Sequence, residues 1–182
     1  MISKQEYEKA AKSALSYFDK AGITITDVEK QNIEVADFGL NDLENTGLQL
    51  VIFVNTERVC AKEMVLFPHQ TCPEHRHPDR SGGEPGKEET FRCRYGKVYL
   101  YVEGERSENI HCKVPAGSEK YYGVFKEIVL NPGEQYTIYP NTLHWFQAGD
   151  EGAVISEFST NSDDSLDIFT DERIARIPEI GK

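Results

Sequence analysis

From Leu48 to Phe158 the chain is a succession of short runs rich in valine, isoleucine, tyrosine and phenylalanine: LQLVIFV, CAKEMVLF, TFRCRYG, KVYLYVEG, GVFKEIVL, EQYTIYP, LHWFQAG and AVISEF. Such runs read as β-strands. Parallel neighbours would need helical crossovers of a dozen or more residues, and none separates them, so the sheet is expected to be antiparallel. Turn signals such as NPGEQ at 131–135 and GDEG at 149–152 lie at hairpin distances between the runs. The expected fold class is all-β, closed as a small barrel or a double-sheet jelly roll.

The first residues differ in period. Ser3 followed by Glu6 makes a capping box, Ile2 and Tyr7 are placed as a hydrophobic staple, and Gly22 is a natural stop, so residues 1–22 are predicted to hold a helix. Its apolar positions, Tyr7, Ala10, Ala11, Ala14, Leu15 and Phe18, follow helical spacing and are expected to lie against the sheet. The barrel is expected over about residues 45–160 and a polar tail over 161–182, with one helical turn near Asp171–Ile174. At 182 residues and 38% hydrophobic content, the chain is expected to form a single domain with a real core. The net charge of -11 weighs against nucleic acid and anionic membrane partners. Four cysteines at no CxxC spacing, without an export signal, point to reduced thiols and a cytoplasmic setting.

The stretch HRHPDRSGGEPGKEETFRCRYG, from His75 to Gly96, carries the chemistry. In an extended segment His75 and His77 share a face and can offer two imidazole nitrogens to one ion. Glu89 opens the following strand, and His144 lies in the later segment YPNTLHWF. Three neutral nitrogens and one carboxylate would leave open positions on a six-coordinate divalent metal.

These residues resemble the cupin superfamily. Glu89 and Gly96 are six residues apart, as its first motif asks, and Gly133 and His144 are spaced as in its second. That spacing selects Glu89 over its neighbour Glu88 as the carboxylate ligand. The departures are a long gap between His77 and Glu89, His69 in place of the first glycine, Tyr139 in place of the proline, Asn141 in place of a glycine and Ala148 in place of the final asparagine. A closer similarity, over about Phe67 to Pro178, is to the D-lyxose isomerase family. It rests on Lys87 two residues before Glu89 and on the segment Glu157-Phe158-Ser159-Thr160-Asn161-Ser162-Asp163-Asp164-Ser165-Leu166-Asp167. The resemblance implies a cupin-type jelly-roll barrel, with the N-terminal helix outside it, in a homodimeric metal-dependent aldose–ketose isomerase. It implies manganese as the ion and interconversion of D-lyxose with D-xylulose and of D-mannose with D-fructose. The donor types alone also admit iron, cobalt, nickel or zinc.

Glu157 shares a strand face with Ala153 and Ile155, opposite Val154 and Phe158. The pattern fits equally a wet outer face and a barrel interior; the resemblance implies the interior, with Glu157 shuttling a proton between carbons one and two of an open-chain sugar. Lys87 would ordinarily be a surface lysine, whereas the resemblance places its ammonium toward a substrate oxygen. The expected route passes through a cis-enediolate stabilised by the metal, with a hydride shift as the competitor. Asp79 and Arg80, in the glycine-rich loop, read either as part of a lid or as surface connection, and His69 as a group near the pocket or one satisfied locally. Tyr99, Tyr101, Trp145 and Phe146 serve as pocket wall or core. Two other functions share the four donors: an iron cupin dioxygenase, and a sugar-binding cupin without catalysis. A phosphosugar isomerase would need a cluster of basic residues that is not evident.

Overall fold

A computed structural model describes residues 2–177 and 179–181. Met1, Pro178 and Lys182, which the expected helix region and tail include, lie outside the described residues. The elements are α1 (Lys4–Lys20), α2 (Asp27–Lys30), β1 (Glu34–Ala36), β2 (Leu48–Asn55), β3 (Cys60–Leu66), β4 (Thr71–Arg76), β5 (Glu89–Val102), β6 (Lys126–Leu130), β7 (Gln135–Ile138), β8 (His144–Ser159) and β9 (Ile168–Phe169). No helix among the described residues is long and apolar enough to cross a membrane.

The helix α1 forms for the reasons its sequence gives. The Glu6 amide donates to Ser3 Oγ at 3.2 Å while Glu6 Oε2 accepts from the Ser3 amide at 2.8 Å, which satisfies two of the donors a helix start leaves free. Gly22 takes φ +70°, so the amides of Gly22 and Ile23 can turn back onto Asp19 and Phe18. Ala10, Ala14 and Phe18 pack against Val51, Val65 and Val154 on the outer face of the barrel. The small alanines let the helix approach the strands closely.

All strand pairings are antiparallel. Two long strands organise them. Residues 89–96 of β5 and 153–159 of β8 lie in one sheet, of order β1-β2-β3-β8-β5-β7. Residues 98–102 of β5 and 144–148 of β8 lie in the other, of order β9-β4-β8-β5-β6. The sheet thus curls into a jelly-roll barrel, as expected. Leu50, Met64, Leu66, Phe91, Leu100 and Ile155 fill its interior.

The long strands correct the sequence reading. TFRCRYG and KVYLYVEG are one strand, and so are LHWFQAG and AVISEF; GDEG is a bend within β8 and not a hairpin turn. The cause is glycine in a left-handed conformation, Gly96 at φ +69° and Gly152 at φ +75°, where register shifts let a strand turn a corner without reversing. At this corner the backbones touch: a Cβ on Gly96 would sit 1.9 Å from Gly152 O. NPGEQ does join β6 to β7, but these pair with different halves of β5 and not with each other. Strand β4 escaped notice because Pro73 interrupts its ladder, and the register shift between Cys72 and His75 falls there. Strand β1 lies before the expected start of the barrel and β9 lies in the expected polar tail, while the helical turn of the tail is a 3-10 turn at Asp164–Leu166, with only a hydrogen-bonded turn at 171–174.

Gly133 also has positive φ, +92°, but open space where a Cβ would go. Gly133→Ala is therefore expected to cost only the left-handed backbone penalty, about 1–2 kcal/mol, and Gly96→Ala distinctly more. Thermal melts of the two variants measure the difference.

Candidate active site

The inward faces of β3, β4, β5 and β8 converge at one end of the barrel. His75 ends the ladder of β4 opposite His144, the first residue of β8; their Cα atoms are register partners. His77 follows just beyond β4, and Glu89 is the first residue of β5. All four are buried, and one donor atom from each lies within 4.8 Å of the other three. The sequence expectation of a four-residue cluster is met in geometry.

The hydrogen bonds orient each imidazole the same way. Nδ1 of His75 lies 2.8 Å from Pro73 O, that of His144 2.9 Å from Thr142 O, and that of His77 2.5 Å from Asp167 Oδ1. Acceptors beside every Nδ1 place a proton there, so Nε2 of His75 and of His144 carries a lone pair directed at the centre, whereas Nε2 of His77, 3.2 Å from Glu89 Oε1, frees its lone pair only when a cation displaces its proton. His144 Nε2 is 3.1 Å from Glu89 Oε1 but is not aligned to hydrogen-bond to it, and it has no hydrogen-bond partner among the described residues. A buried nitrogen left unsatisfied, facing a carboxylate and two further imidazole nitrogens, fits a bound cation. Phe169 of β9 stacks on His75 with ring centroids 5.1 Å apart, so the tail supports both histidines of the pair.

The histidines differ in charge preference. Burial, together with His144 and His77, holds His75 well below its ordinary value. Burial, the largest single effect, pushes His77 the same way and Lys87 adds to it, but the Glu89 charge and the hydrogen bonds to Asp167 and Glu89 together outweigh them and leave His77 raised to about 9. For Glu89, burial favours the neutral acid, yet Lys87 and His77 hold it well below the carboxylate range.

Lys87 is buried beside this group. Its Nζ is 2.6 Å from Glu89 Oε2 and 3.1 Å from Glu157 Oε1. Burial opposes its charge, but Glu157, Glu89 and Asp167 overcome that and raise its pKa. Glu157 is inside the barrel. Ala153 and Ile155 share its face, while Val154 lies under α1 and Phe158 is 50% exposed. A narrow cavity runs from the histidines past Lys87 and Glu157 to Lys62, Asp164 and Arg176.

Lys62 and Arg176 are not singled out by sequence, and Asp164 and Asp167 enter only as members of the Glu157–Asp167 segment, without a role of their own. Lys62 offered the signal that had been noticed at Glu157, a charge on an apolar face, since it alternates with Met64 and Leu66 in CAKEMVL. It reaches Ser162 Oγ at 2.9 Å and Asp164 Oδ1 at 3.2 Å, and Arg176 bridges Asp164 to Glu34 of β1. Other residues fall outside. The side chain of His69 is 64% exposed and pairs with Asp150, so it is not near the cavity, and His111 pairs with Glu127. Glu88 is exposed. Tyr101 and Trp145 stack on each other in an aromatic cluster, with Tyr99 packed against it, whereas Phe146 lines the cavity. Asp79 accepts from the Gly86 amide and Arg80 donates to Asn161 O, which fastens their loop to the end of β8 beside His77 and Lys87.

A family model described as D-lyxose isomerase matches residues 11–182. The chain is 68% identical over 180 residues to the D-lyxose/D-mannose isomerase of Thermosediminibacter oceani, with 99% of each covered. It is 60% identical over 175 residues to the D-lyxose ketol-isomerase of Cohnella laeviribosi, with 96% of each covered. Among solved structures, ligand-free L-ribose isomerase of Cellulomonas parahominis aligns with a TM-score of 0.78 over 99% of this chain and 98% of that one. At 18% identity that likeness is one of fold, a cupin-type barrel. Barrel and relatives together define an enzyme of the isomerase class. The chain belongs to the D-lyxose isomerase family.

Asp164 is a carboxylate whose charge the fold depends on. Burial would raise its pKa, but Arg176, Lys62 and Lys87 hold it well below the carboxylate range. A depressed folded pKa stabilises above the unfolded value, about 3.9, and the contribution is lost as pH falls through the folded one. Melting temperature of the metal-free chain is therefore expected to fall as pH drops from about 5 toward 3, and less steeply in Asp164→Asn.

Proposed function

We propose that the chain is a metal-dependent aldose–ketose isomerase that converts D-lyxose to D-xylulose and D-mannose to D-fructose by proton transfer. The observation that carries this reading is the placement of Lys87 between Glu89 of the four-donor group and Glu157 in one cavity. Relatives of 57–68% identity named for D-lyxose support the substrate.

His75, His77, Glu89 and His144 are the residues that hold the ion. The charge balance favours a divalent one: the cations Lys62, Lys87 and Arg176 face the carboxylates Glu34, Glu89, Glu157, Asp164 and Asp167, so once an ion has displaced the second proton of His77 and the histidines are neutral, the cluster lacks two positive charges. When bound, such an ion supplies Lewis-acid stabilisation for the negative charge that develops on the sugar oxygens. Manganese suits the mixed nitrogen and carboxylate donors and oxygen-rich substrates. Iron, cobalt, nickel and zinc share those donors.

Aldose and ketose differ in the place of two protons, one on carbon two or carbon one and one on the oxygen of either carbon. Glu157 takes the proton from carbon two of the open-chain aldose, the electron pair forms the carbon–carbon double bond of a cis-enediolate as the carbonyl pair moves onto the oxygen of carbon one, and the same carboxyl returns the proton to carbon one; the oxygen of carbon one takes a proton from Lys87 and the hydroxyl of carbon two returns one to it as the ketose carbonyl forms. A single base on one face of a planar enediolate serves both steps. The Lys87 ammonium donates to an oxygen of the enediolate, and its attachment to Glu89 and Glu157 fixes its position relative to both. Burial excludes competing water from the proton. A homodimer in the cytoplasm completes the reading, supported in its compartment by four cysteines that are all free.

Chelation is expected to abolish ketose formation from D-lyxose, and manganese to restore it. Glu157→Gln is expected to lower kcat by about 10²–10⁴-fold, the usual share of a general base. Turnover in deuterated water is expected to place solvent label at the migrating position. Product free of label would defeat the proton-transfer route in favour of a hydride shift, and His75→Ala enzyme with normal activity and metal content would defeat the metal assignment.

A further inference from the structure

We propose that Lys62 and Ser159 are positioning residues for Glu157. With Lys87 they fix one oxygen of its carboxylate, so that the other is the atom presented to the substrate. The inference deepens the preceding reading and rests on Glu157 as the base.

Three groups from separate parts of the chain converge on Glu157 Oε1. Lys87 Nζ lies at 3.1 Å, Ser159 Oγ donates at 3.0 Å, and Lys62 Nζ stands 3.9 Å away. Among the described residues no hydrogen bond reaches Oε2. A carboxylate oxygen surrounded by donors has its lone pairs engaged, and the free oxygen is left as the base. Rotation about the terminal bond of the side chain would exchange the two oxygens, and these contacts oppose it.

Lys62 is built for this place and not for solvent. It is the register partner of Glu157, from β3 to β8, and its side chain is 4% exposed. Its ammonium is itself held by Ser162 and Asp164, which Arg176 ties back to Glu34. At 3.9 Å its contact with Glu157 is charge pairing and not a hydrogen bond. Two of its three N–H donors are spent on the tail, while its charge acts on Oε1. The base is thus aligned from the far end of the cavity as well as from Lys87. Displacement of a reacting group by about 1 Å can cost on the order of 10²-fold in rate, so loosening this anchorage is expected to appear in kcat.

The test is steady-state kinetics of metal-loaded Ser159→Ala and Lys62→Met enzymes, singly and combined, in the parent and in Glu157→Gln, together with a crystal structure of the combined variant. Each single change is expected to lower kcat about 10- to 100-fold with KM within about two-fold. Neither is expected to add to the loss in Glu157→Gln, and the carboxylate is expected to have rotated in the crystal. A loss confined to KM, which would make Lys62 a donor to sugar hydroxyls, overturns the inference; so do losses that multiply with that of Glu157→Gln, or an unmoved carboxylate. If Lys62→Met does not fold, Ser159→Ala carries the same comparisons, since it removes one hydroxyl. Full turnover by Glu157→Gln overturns the base assignment beneath this inference. An impaired Glu157→Gln beside fully active Ser159→Ala and Lys62→Met overturns this inference alone.

Discussion

The Lys87 ammonium, closed in between two carboxylates, is the contact on which the rest of the site depends. An ion pair out of water costs desolvation that only close, hydrogen-bonded geometry offsets, and removal of one partner leaves an uncompensated charge worth about 3–5 kcal/mol. Glu89 and Glu157 stand on different strands, β5 and β8, whose alignment must be held to fractions of an ångström for one ammonium to serve both. The barrel provides that alignment through the longest shared ladder in the fold. It also supplies a second cationic chain, Lys62 to Asp164 to Arg176, which continues the charge alternation to the edge of β1.

The corner at Gly96 and Gly152 explains how one ladder serves two sheets. Without a bend, β5 and β8 would run on as a flat pair with free edges. With it, the residues before Gly96 deliver Glu89 and Phe91 to the cavity while those after it deliver Leu100 and Val102 to the core of the other sheet. The glycine that closes the first sequence motif is therefore required by backbone contact, and its six-residue separation from Glu89 is the length of strand from the corner to the end of the barrel.

Much of this was legible. Runs of β-branched and aromatic residues revealed most of the strands, the cap and stop residues bounded the helix, and the histidine pair with Glu89 and His144 marked the cluster. The misreadings have physical causes. Glycine in GDEG and at position 96 signals a turn or a bulge equally well, and only pairing partners decide between them. Pro73 hid β4 because proline argues against a ladder that here is interrupted at that residue. For Glu157 the two-residue period left both faces open, since α1 makes the outer face of β8 apolar too, and Val154 packs beneath it. Lys62, Asp167 and Arg176 matter through partners 90 or more residues away, such as Asp167 with His77, and no local pattern reports such distances.

Asp167 and Phe169 brace the histidine pair from a segment that follows every strand of the barrel except β9 itself. During synthesis on the ribosome the remaining ladders can form before those braces have emerged. A nascent chain therefore has its scaffold before the rings of His75 and His77 are locked.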